Sequence, residues 1–176
     1  MKIKQKSLSG KLICALLLLF LMNSCFTIRY DLSGGVSIPP EISTVSVQYF
    51  NNRATLVNPN LSQDFTDKLK SYIESNTKLR VVNTIGDIDF SGVIKDYSTQ
   101  PTAISANEIA AQIRFSITIT VKYTDAVNPD DSWNQDFTRY RDFDSDKNFS
   151  SVESQLSDEI LDDIIEQIFN KAFVNW

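Results

Sequence analysis

The chain has 176 residues, 42% of them hydrophobic, with a formal net charge of −5, two cysteines and no histidine. Without histidine, neither a Ser-His-Asp or Cys-His catalytic apparatus nor the commonest zinc sites can be assembled, and the acidic balance argues against general affinity for nucleic acid. The chemistry left is of the carboxylate, Lys or Ser-Lys type, so an adaptor without enzymatic activity or cofactor is expected.

Lys2, Lys4, Lys6 and Lys11 lead into a mostly apolar run from Leu12 to Met22. A run of about eleven residues is too short to cross a hydrocarbon core as a helix, which needs roughly twenty, so it reads as a signal peptide. Ser24 is small and directly precedes Cys25, the pattern cut by a lipoprotein peptidase; Met22 and Asn23 are looser than the usual Leu-Ala, and an ordinary signal with a chance cysteine is the alternative. Cys25 is therefore the expected lipidation site, and two or more acyl chains hold a protein stably on a membrane. Removing the signal peptide, residues 1–24, takes four lysines and no acids, moving the net charge from −5 to −9. About 150 residues remain, enough for one domain with a sizeable core. Cys14 leaves with the signal and Cys25 is acylated, so no disulfide is available. Phe26-Thr27-Ile28-Arg29 carries neither an Asp beside the cysteine nor an acidic run, which points to the periplasmic face of the outer membrane.

Residues 25–43, with Gly34-Gly35 and Pro39-Pro40, have no sustained period and read as a lipid-anchored spacer, and a single domain is expected over 44–176. Val45, Val47 and Tyr49 alternate with polar residues as a half-buried strand does. Asn58 as N-cap and Pro59 at the first helical position predict a helix of about four turns through Leu61, Phe65, Leu69, Tyr72 and Ile73. Lys78 to Asn83 is a short strand, and Gly86-Asp87 turns into another run through Ile88, Phe90 and Ile94. Strand, helix and strand in this order predict a crossover with the first two strands parallel. Gly92 within a strand signals a bulge or a close approach by a neighbour. Gln112 to Tyr123 is the clearest strand: Ile113, Phe115, Ile117, Ile119, Val121 and Tyr123 face one way, with Arg114, Ser116, Thr118, Thr120 and Lys122 facing the other.

Asn128-Pro129-Asp130-Asp131 is a turn, and Trp133, Phe137 and Tyr140 mark a further strand whose broken alternation predicts a bulge. Ser150-Ser-Val-Glu153 matches a capping box ahead of a long amphipathic helix with Val152, Leu156, Ile160, Ile164, Ile165, Ile168, Phe169, Ala172 and Phe173 on its apolar stripe. Phe173 and Trp176 are expected to complete the core. The expected fold is an α+β two-layer sandwich: two helices packed on one face of a mixed four- to five-stranded sheet, in the order βαβββ(β)α.

Three groups of residues invite functional readings. Asp142, Asp144, Asp146 and Glu153 occupy positions 1, 3, 5 and 12 of a twelve-residue calcium loop, but position 6 is Lys147 rather than Gly and the preceding segment reads as a strand. The alternative is an acidic strand end running into a helix cap. Asp87/Asp89 and Asp162/Asp163 are close in sequence without converging as acid/base catalysis requires, and read as solvated surface. Arg114, Lys122, Arg139 and Arg141 would form a basic stripe on the open sheet face suited to a phosphorylated glycolipid, with ordinary cross-strand ion pairing as the alternative.

Cys25, Ile38-Pro-Pro-Glu41, Val45-x-Val47-x-Tyr49-Phe50-x-Asn52, Asn58-Pro59-x-Leu61-Ser62, Phe65-Thr66, Leu69, Thr77-x-Leu79, Gly86-Asp87, Phe90-x-Gly92, Ile94-x-Asp96-Tyr97 and Ile168-Phe169-Asn170, in this order, resemble the LptE family of lipopolysaccharide-assembly lipoproteins in its Bacteroidetes-type branch. The resemblance implies two helices against a mostly four-stranded mixed sheet. It also implies an outer-membrane lipoprotein that plugs the LptD barrel, helps the barrel fold and assists delivery of lipopolysaccharide to the cell surface. Of the family's functional residues only the acylated Cys25 carries over by position. A pilotin or adaptor lipoprotein of another envelope secretion channel would use the same anchor and a similar compact domain.

Overall fold

The computed structural model describes residues 38–56, 58–102 and 112–174; the signal segment, Cys25, most of the spacer and Trp176 lie outside them. The described strands are β1 (Thr44–Val47), β2 (Asn51–Asn52), β3 (Arg80–Val81), β4 (Ile88–Pro101), β5 (Gln112–Asp125) and β6 (Trp133–Asp144). The helices are α1 (Leu61–Asn76) and α2 (Phe149–Phe173), and a single 3₁₀ turn spans Pro129–Asp131 between β5 and β6. The sheet runs β3-β1-β4-β5-β6, with β2 continuing beside β4 where β1 stops. β1 is parallel to both β3 and β4, as the crossover rule requires, whereas β4, β5 and β6 form an antiparallel meander. This is the mixed α+β sheet with two helices that the hydrophobic periods predict.

Alternation decides the layers. Phe115, Ile117, Ile119, Val121 and Tyr123 of β5 are all buried. With Val45, Val47, Ile88, Phe90, Ile94, Tyr97, Phe137 and Phe143 they make the sheet's contribution to one core. The helices bury the complementary stripes, Leu61, Phe65, Leu69 and Ile73 from α1 and Ile160, Leu161, Ile164, Ile165, Ile168, Phe169 and Phe173 from α2. Edge-to-face aromatic pairs join the layers: Phe50 with Phe65 at 4.9 Å, Phe115 with Phe149 at 5.0 Å and Phe90 with Phe173 at 6.0 Å between ring centroids. Phe173 is thus a core residue, as expected. Ile42, at the end of the spacer, is buried with the core and Ile38 packs against it.

Four local details differ from the sequence reading. The bulge lies in β4, where the register to β5 shifts between Ile94 and Asp96, so that Ile94 and Tyr97 both point into the core across one extra residue, Lys95. β6 runs against β5 without a register shift from Gln112↔Asp144 to Tyr123↔Trp133; Tyr140 breaks the apolar alternation because it is a half-exposed aromatic on the open face. Helix α1 begins at Leu61, since Asn58 uses its side chain to accept from the Asn60 amide in the turn before it. Helix α2 is capped by Asn148, whose Oδ1 accepts from the Ser150 amide, so Ser150 and Glu153 do not form a capping box. Gly92 answers to close approach: a Cβ there would stand 2.0 Å from the Thr120 carbonyl oxygen and 2.7 Å from the Phe50 ring.

Candidate functional site

The helices cover one face of the sheet; the other, and the two ends of the strands, are the surfaces available for recognition. On the open face β5 presents Arg114, Ser116, Thr118, Thr120 and Lys122, and the β5–β6 register sets Asp142, Tyr140, Thr138, Asp136 and Asn134 opposite them. Cross-strand hydrogen bonds knit this face together. Thr118 and Thr138 hydroxyls meet at 2.9 Å, Ser98 and Ser116 at 3.4 Å, and Asp136 accepts from Thr120 at 2.6 Å while pairing with Lys95 at 2.6 Å. The Lys95 ammonium and the Thr120 hydroxyl hold the Asp136 carboxyl below its ordinary range.

The expected basic stripe divides between two faces. Arg114 lies on the open face in a bidentate pair with Asp142, Nε to Oδ1 at 2.8 Å and Nη2 to Oδ2 at 2.9 Å, with its guanidinium carbon 3.7 Å above the Tyr140 ring. Those hydrogen bonds raise the arginine and lower the Asp142 carboxyl. Lys122 is on the same face, exposed, opposite Asn134. Arg139 and Arg141 pair in register with Ile117 and Phe115, which places them on the helix side. The reason is parity: in an unbroken antiparallel register odd residues of β6 sit opposite odd residues of β5, and opposite residues share a face. Arg141 bridges to α2, to Glu159 at 3.0 Å and Asp163 at 2.9 Å, and Arg139 donates to the Thr138 carbonyl at 2.9 Å.

The four acids of the calcium spacing are likewise not gathered. Asp142 is taken by Arg114 and Asp144 by Lys147 at 3.4 Å, while Glu153 accepts from the Tyr97 phenol at 2.5 Å on another part of the molecule. Among the described residues no three His, Cys, Asp or Glu side chains converge as a metal site requires. A strand, not a helix, enters the twelve-residue spacing and fixes Asp142 on the sheet.

Acids in three places are structural in ways that spacing alone did not reveal. The Asp87 carboxylate accepts from the backbone amides of Ser43 and Thr44, both at 2.9 Å, and from the Thr44 hydroxyl at 2.8 Å. The hydrogen bond donated by the Ser43 amide is the largest of the effects that lower its pKa to about 2. Asp125 is buried and turns the chain by accepting from the amides of Val127 at 2.8 Å and Asn128 at 2.7 Å. Glu153 belongs to a half-buried knot with Tyr97, Ser157 and Asn58, where burial raises the Tyr97 phenol.

Between the helices a groove of about 910 Å³ is lined by Asp64, Asp67, Asp158, Asp162, Asp163 and Glu166, with Lys68 as its cation. Lys68 reaches Asp158 at 3.2 Å and Asp162 at 2.8 Å; partial burial opposes its charge, but the two acids outweigh that and raise its pKa. Asp162 and Asp163 therefore diverge, one toward α1 and the other toward β6, which agrees with the expectation that they form no acid/base pair. At the end of the sheet where the chain enters the domain, a cleft of about 270 Å³ is lined by Ile38, Tyr123, Asp131, Trp133, Lys171 and Phe173.

No helix among the described residues is long and apolar enough to cross a membrane. Comparison with known proteins bears on the family and on the fold. A family model described as LptE, lipopolysaccharide-assembly, matches residues 42–172. No curated protein sequence matches the chain. Among solved structures, a minor lipoprotein from Acinetobacter baumannii is similar over 74% of this chain and 92% of its own, with TM-score 0.50 and 16% identity. Lipoprotein B from Nitrosomonas europaea is similar over 80% and 87%, with TM-score 0.52 and 18% identity. A protein from Xanthomonas campestris is similar over 79% and 90%, with TM-score 0.56 and 10% identity. At these identities the likeness is one of fold.

Proposed function

Because the chain belongs to the LptE family of lipopolysaccharide-assembly proteins, we propose that it is an outer-membrane lipoprotein that seats in an LptD-type β-barrel, helps that barrel assemble and assists delivery of lipopolysaccharide to the cell surface. The observation that carries this reading is the family match over residues 42–172, which takes in every described element from β1 to nearly the end of α2. Cys25, following a small residue at the end of an apolar signal, supplies the anchor on the periplasmic face. The protein's part is structural and non-catalytic: it offers a rigid sheet face with hydroxyls and paired charges fixed by cross-strand bonds, suited to a polar protein wall. Lys122 and Arg139 have no carboxylate within ion-pair distance among the described residues, and of the two only Lys122 lies on the open face, where it is the cation of the expected stripe left for a phosphorylated glycolipid.

The test is detergent extraction of the native envelope, capture of the protein by a C-terminal tag and mass identification of what comes with it. A stoichiometric lipopolysaccharide-transport barrel, together with diacylglyceryl mass on the Cys25 peptide, is the expected result. Capture of a different secretion channel would replace this reading with the adaptor one.

A further inference from the structure

We infer that the end of the sheet at which the chain enters the domain is a membrane-contacting end, touching the bilayer surface through Ile85 and Val127. This rests on the reading of Cys25 as the lipid anchor. Ile85 is 80% exposed and Val127 41% exposed, two of the few large apolar side chains among the described residues that face solvent. They lie in different loops, β3–β4 and β5–β6, which meet: the Ala126 amide donates to the Asp87 carbonyl at 2.9 Å. The incoming chain is at the same place, since Ser43 and Thr44 donate to the Asp87 carboxylate and Ile38 lines a cleft with Tyr123 and Trp133.

Both side chains are held outward by backbone that cannot easily turn. The Gly86 amide donates to the Ser46 hydroxyl at 3.1 Å and the Asp87 amide to the Thr44 hydroxyl at 2.9 Å, so the loop bearing Ile85 is tied to β1 on its C-terminal side. A Cβ on Gly86 would meet three backbone atoms at 3.1 Å, which shows how closely that loop lies on its neighbour. Val127 is fixed by the buried Asp125 carboxylate. Loops with nothing to contact gain no stability from presenting an aliphatic tip to water; here two tips are mounted rigidly at the end of the sheet where Ser43 and Thr44 lead into β1.

The occupant is argued from that tether. Cys25 stands thirteen residues before Ile38, a distance of at most about 45 Å when fully extended. An anchor so close converts a weak contact into an intramolecular one with high effective concentration, so two aliphatic tips suffice where they would not hold a free protein. Asp130 and Asp131 follow Val127 in the same loop, which predicts a contact made by apolar burial rather than by attraction to anionic lipid.

The mature chain carrying a hexahistidine tag in place of Cys25, held on phosphatidylcholine/phosphatidylethanolamine vesicles by a nickel-chelating lipid, tests this without relying on native acylation or on any barrel. With Cys25 replaced, a single cysteine introduced as Ile85→Cys, Val127→Cys, Thr118→Cys or Ser145→Cys is the sole thiol for a bimane label. Thr118 lies mid-strand on the open face and Ser145 follows β6 at the far end of the sheet. Quenching by a spin-labelled lipid about twofold or more stronger at 85 and 127 than at 118 and 145, and unchanged when anionic lipid is added, is expected for tips seated at the headgroup boundary. Equal quenching at all four positions, or quenching that appears only with anionic lipid, overturns the inference. Loss of the barrel partner in the capture experiment would leave this result unaffected, so the two readings fail separately.

Discussion

The phenol of Tyr97 donates to the Glu153 carboxylate across 2.5 Å, joining β4 just beyond its bulge to the first turns of α2. Neither partner is placed there by its own local sequence: Glu153 sits where a capping box would use it, and Tyr97 falls out of step with Ile94. The pair exists because the Lys95 bulge rotates Tyr97 inward, where the Ser157 hydroxyl and Asn58 amide also reach its oxygen.

Replacing Tyr97 with Phe keeps the ring against Phe115, 4.8 Å between centroids, and deletes the hydroxyl that these groups share. The loss should be about 1–2 kcal/mol of stability, since a half-buried carboxylate loses a donor. Urea unfolding followed by circular dichroism would measure it; an unchanged midpoint would mean that water replaces the phenol freely.

Gly92→Ala should be far more damaging than an exposed change of one methyl. The added carbon would stand 2.0 Å from the Thr120 carbonyl oxygen, backbone that cannot move without parting β4 from β5. Overpacking of this kind costs about 3 kcal/mol or more, and soluble yield and thermal melting of the variant would show it. Gly86→Ala, with its nearest atoms at 3.1 Å, should be milder.

Asp87 predicts an acid limit to stability. Its folded pKa of about 2 lies below the ordinary 3.8, so the unfolded chain takes up the proton first. Stability from this carboxylate is complete above the ordinary value and is lost as pH falls from there toward 2. Between about pH 4 and 2 the wild-type urea midpoint should therefore fall more steeply than that of Asp87→Asn. Parallel slopes for the two proteins would remove Asp87 as the acid latch of β1.

Added salt should stabilise the protein, because six acids line the groove between α1 and α2 and only Asp158 and Asp162 of them are bridged by Lys68, so screening weakens their mutual repulsion more than it weakens one bridging cation. Lys68→Glu should lower the melting temperature at low ionic strength and recover much of the loss in about 0.5 M sodium chloride. A loss independent of salt would show that the lysine stem, packed between the helices, matters more than its charge.

Periodicity made the layers legible. β5 alternates without error over its described length, and the α2 stripe from Ile160 to Phe173 is buried as its spacing implies. Errors arose where one residue does two jobs. Tyr140 is aromatic and so looked inward, yet its ring serves Arg114 on the open face. Arg139 and Arg141 alternate like surface residues of a strand, but which surface is a matter of register with β5, and register is not written in β6 alone. The bulge at Lys95 is hidden because a lysine there is equally acceptable on a regular solvent face. Asp87 carries no local sign of its partners, which lie more than forty residues earlier.

The parallel placement of β1 has a consequence for how the chain acquires its shape. Val45 finds its partner at Ile88 and Val47 at Phe90, on the far side of α1, whereas β4, β5 and β6 are successive neighbours. β1 therefore precedes its partners in the chain and is paired late, since distant partners carry the larger loop-closure cost and the meander can close locally. Pulse-labelled hydrogen exchange during refolding should find the amides of β5 protected before those of β1. Until then, Val45 and Val47 are an unsheltered sticky segment that a holdase would recognise.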